Sequence, residues 1–154
     1  LKRYGYDPLP VYTPPAEGPQ GSPQLLAEYP LVFDSGSRNK AFFNSQHHHL
    51  PALVERYPRP LVWIHPLDAR PRGIADGDRV LVSTRRASVA YTAHVTEDIL
   101  PGTVEADAHG GGLIAVPDWR ECNVNELTDF ENRDPISGFP VYKALLCQVT
   151  KAGA

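Results

Sequence analysis

Apolar residues fall in short, closely spaced sets, and the most legible of these runs from Val62 to Val82. Val62-Trp63-Ile64 signals a buried strand, Pro66 and Asp68 set the start of a short helix, and Gly77-Asp78 is a turn. Val80-Leu81-Val82 then begins a second strand. Gly77 takes a positive φ at no steric cost, and the Asp78 carboxylate can accept from nearby backbone N–H groups. The pair therefore fixes the angle at which the next strand leaves, as a barrel corner requires. Arg79 to Thr84 and Ala87 to Val95 alternate as paired strands. Val89, Tyr91, Ala93 and Val95 share one face, and Ser88, Thr92 and His94 mark the other as mostly polar. Pro101-Gly102 suits the centre of a type II turn before a strand from Thr103 to Asp107. Gly110-Gly111-Gly112 breaks regular structure, Asn123 to Asp129 predicts a helical turn, Asp134 to Pro140 a loop, and Val141 to Val149 a closing strand. Upstream, Leu31-Val32-Phe33-Asp34 is a short strand. Leu50, Leu53, Val54 and Tyr57 recur at helical spacing around Pro51, which predicts a short helix packed against the barrel.

Sixteen prolines and twelve glycines in 154 residues favour many turns and short elements, hence a mainly β class. Seven of the prolines lie in residues 1–30, which read as an extended or looped arm with Tyr4, Tyr6, Leu9, Val11 and Tyr12 as apolar anchors, or as a linker. The globular pattern occupies 31–154. A net charge of −3 supplies no basic field for nucleic acid or an anionic membrane, and no apolar run approaches the roughly 20 residues of a membrane span. The chain holds no methionine, which suits a piece of a longer polypeptide. Cys122 and Cys147 form no C-x-x-C pair, so no thiolate metal site is expected; both read as small buried apolar residues.

Four stretches taken in order resemble one family. They are Asp34-Ser35-Gly36-Ser37-Arg38 with Phe43-Asn44-Ser45-Gln46-His47; the unit from Ile64 to Val82; Asn123 to Asp129; and Asp134-Pro135-Ile136-Ser137-Gly138 leading to Lys143-Ala144-Leu145-Leu146-Cys147. The chain is similar to the C-terminal cofactor-binding domain of the dimethyl sulfoxide reductase family of molybdenum and tungsten enzymes. The last two stretches look most like the thiosulfate, polysulfide and arsenate-type reductases and acetylene hydratase. That resemblance implies a six-stranded double-psi β-barrel of the aspartate decarboxylase type, with a few short helices, holding bis-molybdopterin guanine dinucleotide. It implies no catalytic residue in this chain, since the metal ligand and iron–sulfur motif belong to other domains of the parent subunit. An iron–sulfur electron-transfer subunit is a possible partner of that parent.

On the same footing, Ser35, Gly36, Arg38, Ser45, Gln46 and His47 are expected to contact the cofactor, with His109, Asn123, Tyr142 and Lys143 beside them. Arg38 offers a planar fork for phosphate or a pterin carbonyl, and Gly36 permits close backbone approach. Asn123 could instead cap the following helix, and Lys143 could be a solvated charge. His47-His48-His49 does not suit a metal, because consecutive residues point in different directions. The family commonly places glycine near Arg86-Ala87, so the turn there is open. Gly111 and Gly112 replace its bulky aromatics after the histidine-glycine pair. A stand-alone double-psi interaction module is the rival reading. A self-cleaving decarboxylase would need Gly21-Ser22 or Gly36-Ser37 at a strained turn, and neither setting fits.

Overall fold

Alternation decides which way each strand faces. Leu31 and Phe33, Val62 and Ile64, Val80 and Val82, Val89 and Tyr91, Val104 and Ala106, and Leu145, Cys147 and Val149 are all buried, and together they form one core. A computed structural model describes residues 1–9, 11–37 and 39–153. Its strands are β1 (Leu31–Ser37), β2 (Leu61–Ile64), β3 (Arg79–Ser83), β4 (Ser88–Val95), β5 (Thr103–Asp107) and β6 (Lys143–Lys151). They close into a barrel in the order β1-β5-β2-β4-β3-β6, so no edge is left unpaired.

The barrel repeats itself. Advancing every strand by three places carries the parallel β1–β5 ladder onto the parallel β2–β4 ladder, and the antiparallel β1–β6 ladder onto β3–β4. The antiparallel β2–β5 and β3–β6 ladders map onto themselves. This is the twofold double-psi barrel, although sequence spacing alone establishes no internal repeat.

Three short helices, α1 (Pro51–Arg56), α2 (Pro66–Ala69) and α3 (Pro117–Arg120), each begin on proline, whose missing N–H is no loss in a first turn. Helix α1 packs against a satellite cluster of Phe42, Ile114 and Trp119 rather than on the barrel core. Leu50 precedes the helix in extended conformation and is exposed, so it leaves the expected stripe. Helix α2 is capped by His65, whose Nδ1 accepts from the Leu67 N–H at 3.1 Å. Asp68, expected to set that start, accepts instead from the Gly102 N–H at 2.7 Å and ties α2 to the turn before β5.

The corner at Gly77-Asp78 forms as its residues demand: Gly77 sits at φ 83°, and Asp78 accepts from the Ala75 N–H at 2.8 Å. Lys151 of β6 adds an ion pair to that carboxylate at 2.8 Å. Together the Lys151 ammonium and the Ala75 N–H hold the Asp78 carboxyl below its usual range. Gly102, at φ 80°, takes the positive-φ place of the turn before β5, with the Thr103 N–H donating to the Leu100 carbonyl at 3.2 Å. The β3–β4 hairpin needs no positive φ at Ala87; Thr84 donates to the Ala87 carbonyl at 3.0 Å. Thr92 is buried, so the outer face of β4 is less polar than its sequence suggests. Both cysteines are buried free thiols, and burial pushes Cys122 up to about 12.

Residues 1–30 contain 3-10 turns at Lys2–Tyr4 and Pro23–Ala27. Their firmest tie is polar. Glu17 accepts from the Leu146 N–H through its carbonyl at 3.1 Å, and its carboxylate pairs with Arg86, which also pairs with Asp129. The expected apolar anchors Tyr4, Leu9, Val11 and Tyr12 are exposed, and Tyr6 attaches by donating its hydroxyl to the Pro135 carbonyl at 2.9 Å.

Candidate functional site

Two irregularities in the strands shape one end of the barrel. In β1 the register slips between Ser35 and Ser37, where Gly36 adopts φ 114°, so Ser35 and Gly36 belong to a bulged strand rather than to the predicted loop. Opposite, Ala144 takes φ 59° and the β1–β6 register slips between Phe33 and Asp34. The closing strand therefore begins at Lys143, two residues late, and Tyr142 stays in the loop. Ser35 fastens the two sides by donating its hydroxyl to the Tyr142 carbonyl at 2.7 Å. Lys143 pairs with Asp34 at 2.9 Å, so its charge is already matched inside the protein.

The connection after β5 supplies the facing wall. Gly110 lies flat against the turn beyond α3: a Cβ there would sit 1.9 Å from the Cys122 carbonyl oxygen and 2.5 Å from that of Trp119. The Gly111 N–H donates to the Trp119 carbonyl at 2.7 Å, and a Cβ at Gly111 would come within 3.1 Å of the Asn123 side chain. Asn123 does cap the 3-10 turn Val124–Leu127, accepting from the Asn125 N–H at 3.3 Å. Farther on, Asp134 accepts from the Ser137 N–H at 2.6 Å and its hydroxyl at 2.7 Å. These bonds, led by the Ser137 N–H, hold its carboxyl below the usual range and tighten the loop that carries Phe139.

Two grooves result. One of about 960 Å³ is lined by Ser45, Gln46, His47, the three glycines 110–112 and Asn123. The other, about 750 Å³, is lined by Ser35, Gly36, Asn44, His109, Phe139, Tyr142 and Lys143. Asn125 lines both, so the grooves adjoin. Of the ten residues expected from the sequence, Arg38 lies outside the described residues, and the other nine each line one groove or the other. Asn44, Asn125 and Phe139 also line the grooves and were not among the ten. Asn44 and Asn125 both stand inside the family-like stretches, one residue before Ser45 and two after Asn123, and that proximity is their signal in the sequence. Asn44 and His47 both adopt positive φ, at 54° and 72°, a conformation these two types tolerate better than most. His109 is buried at 2 % exposure. In the histidine triplet His48 is buried, His49 exposed and His47 intermediate; among the described residues no group of metal-ligating side chains converges.

The donor set suits a large polar heterocycle bearing phosphates. Hydroxyl, amide and imidazole groups line the first groove, while Phe139 meets Tyr142 edge-on at 5.7 Å in the second, offering an aromatic flank. Gly36 and Gly112 have open space where a side chain would stand, leaving backbone accessible to a ligand.

Similarity to known proteins agrees with this geometry. Residues 31–146 match the model of the molydopterin dinucleotide binding domain. The chain is 32 % identical over 148 residues to a dopamine dehydroxylase of Eggerthella lenta, covering 94 % of this chain and 14 % of that protein. It is 35 % identical to acetylene hydratase of Syntrophotalea acetylenica, covering 82 % of this chain and 16 % of the relative. Identity to a dimethyl sulfoxide reductase of Escherichia coli is also 35 %, with 94 % and 17 % covered. The solved acetylene hydratase from Pelobacter acetylenicus superposes with a TM-score of 0.87 at 25 % identity, covering 98 % of this chain and 22 % of that one. The chain thus spans about a sixth of the length of the curated relatives it matches. It belongs to the molydopterin dinucleotide binding domains of the dimethyl sulfoxide reductase family.

Proposed function

We propose that this barrel is the cofactor-clamping domain of a larger molybdenum or tungsten enzyme, and that its two adjoining grooves hold a bis-molybdopterin guanine dinucleotide. The observation that carries the reading is that nine of the residues expected from the resemblance line two grooves that share Asn125. When bound, the cofactor supplies electron or atom transfer at a metal held by other domains, with an iron–sulfur subunit as a candidate electron partner. The chain's own groups bind and orient. Ser45, Gln46, His47 and Asn123 offer donors and acceptors along the first groove, and Arg38 joins them in this proposal. Ser35, Gly36, His109, Tyr142 and Lys143 form the second wall, where Lys143 reaches a ligand phosphate only by loosening its pair with Asp34. None of these groups is assigned a proton transfer or a nucleophilic role.

The test is made in the full-length protein. Gln46→Ala combined with Tyr142→Ala should lower bound pterin dinucleotide at least about tenfold, as loss of two binding groups worth roughly 1 kcal/mol each implies. The thermal melt of the cofactor-free protein should stay unchanged. Equal pterin content in variant and wild type would remove the proposal.

A further inference from the structure

His48 sits in a polar triplet, yet its ring is 5 % exposed. It stacks on Phe42 with centroids 3.8 Å apart at 18° and leans on Trp119 at 4.8 Å and 59°. Trp119 is itself held, its indole N–H donating to the Tyr57 carbonyl at 3.0 Å, and Phe42 meets Trp119 edge-on at 5.3 Å. The sandwich is the floor of the satellite cluster, with Leu53, Val54 and Tyr57 packed from the α1 side and Ile114 and Val116 from the other. Of the hydrophobic residues in that cluster Tyr57 carries a titratable phenol, and His47 and His49 line the same groove as His48. Electrostatically, burial is the largest influence on His48 and opposes the imidazolium; the His109 backbone favours the charged form and the His109 ring opposes it, so burial sets the direction.

The segment that carries His48 is otherwise lightly tied. Two turns hold it, Gln46 N–H to the Phe43 carbonyl and Leu50 N–H to the His47 carbonyl, both at 3.0 Å, and its backbone twice enters the left-handed region. Ser45, Gln46, His47 and His49, all on this segment, wall the first groove, and His48 itself touches it from its buried place. The ring of His48 is thus the apolar peg of a polar wall.

We propose that His48 is a positioning residue: its neutral ring pegs segment 43–49 between Phe42 and Trp119, fixing the first groove, and mild acid pulls the peg. That the wall serves a pterin dinucleotide rests on the proposed function; the peg itself does not. Burial keeps the imidazole below its ordinary value near 6.5, so the pegged state resists protonation and the released state accepts it. The released state binds more protons, so the closed segment loses ground as pH falls through about 6.5.

Hydrogen exchange on the full-length protein at about pH 7.5 and about pH 5.5, corrected for intrinsic exchange, reads this directly. Protection across residues 43–49 should fall by up to roughly tenfold per pH unit while that of β3 and β4 holds. His48→Phe keeps the stack without a titratable group and should make protection of the segment independent of pH. His48→Tyr serves the same purpose should the phenylalanine variant not accumulate. A wild-type segment that ignores pH, or a ring variant that retains the full dependence, would overturn the peg. Bound pterin measured at the same two pH values separates the premises: a segment that opens without cofactor loss keeps the peg and refutes its tie to the first groove.

Discussion

The twofold barrel gives β2–β3 and β5–β6 equivalent connections, and the two have been used in different ways. The first, residues 65–78, ties its polar groups back into the scaffold: His65 caps α2, Asp68 holds Gly102, Asp76 accepts from the Val95 N–H at 2.9 Å, and Asp78 holds Ala75 and Lys151. No groove described above draws a lining residue from it. The second, residues 108–142, has Gly110 and Gly111 pressed on the carbonyls of Trp119 and Cys122, and its Asp118, Glu121 and Asp129 pair with Arg79 and Arg86 of the barrel. Its side chains then line both grooves. Both connections spend carboxylates on the scaffold; what sets the second apart is its glycine run, whose backbone contact holds the wall while Asn123 and Asn125 are left to face a ligand.

The contrast breaks most severely at Gly110. A methyl group there meets backbone oxygen rather than a movable side chain. Gly110→Ala should cost about 3 kcal/mol or more in chemical denaturation, as overpacking against backbone does. Gly112→Ala, with open space but φ 68°, should cost only about 1 to 2 kcal/mol. Similar losses for the two would mean that contact between the connection and the α3 turn does not set the wall.

Next in size is a pH effect at the root of the long connection. Asp107 is buried at the end of β5, where its carboxylate accepts from the Leu61 N–H at 2.8 Å. Burial pushes the carboxyl up to about 6, the Leu61 bond opposing. Because the folded value exceeds the unfolded one of 3.8, the associated stability is present below about pH 3.8 and is lost as pH rises through about 6. The interval corresponds to roughly 3 kcal/mol. Asp107→Asn keeps an acceptor and cannot ionise, so its melt relative to wild type should rise between about pH 4 and pH 7. A difference that stays flat would remove the carboxyl as the cause.

How much of this was legible follows from how local each device is. Gly77-Asp78, Pro101-Gly102 and the β3–β4 alternation act between near neighbours, and each stands where its residues placed it. The barrel and its cofactor class were readable through the order of four stretches. The bulge at Gly36 arises from pairing between β1 and β5 and the one at Ala144 from pairing between β1 and β6, all far apart in the chain, and so the loop beginning at Ser35 and the strand beginning at Val141 were misplaced. The pairs Asp34–Lys143 and Glu17–Arg86 likewise have no local signature. His48 was hidden for a different reason: in a triplet of identical polar residues only tertiary contact selects the one that goes inside. Exposed Tyr4, Leu9, Val11 and Tyr12 show that apolar residues in an arm do not reveal which surface they face.

Within the short connection, Gly77→Ala should cost about 1 to 2 kcal/mol, since the position demands φ 83° but has nothing within 4 Å to clash with. Pterin content of the full-length protein should not change, because this corner lies on neither groove. Loss of cofactor at matched stability would erase the division of labour between the two connections.

The smallest expected effect on stability is the sharpest on function. Asn123 does two things at once: its Oδ1 caps the turn Val124–Leu127, and its side chain stands in the first groove beneath Gly111. Asn123→Ala removes both and should cost about 1 kcal/mol through the cap alone. Asn123→Ser keeps a capping oxygen while removing the amide, so the melt should return to within a few tenths of a kcal/mol of wild type. Bound pterin dinucleotide should nevertheless stay low in both variants. Serine restoring cofactor together with the melt would make Asn123 a structural cap and nothing more, and the first groove would then owe its donors to Ser45, Gln46 and His47.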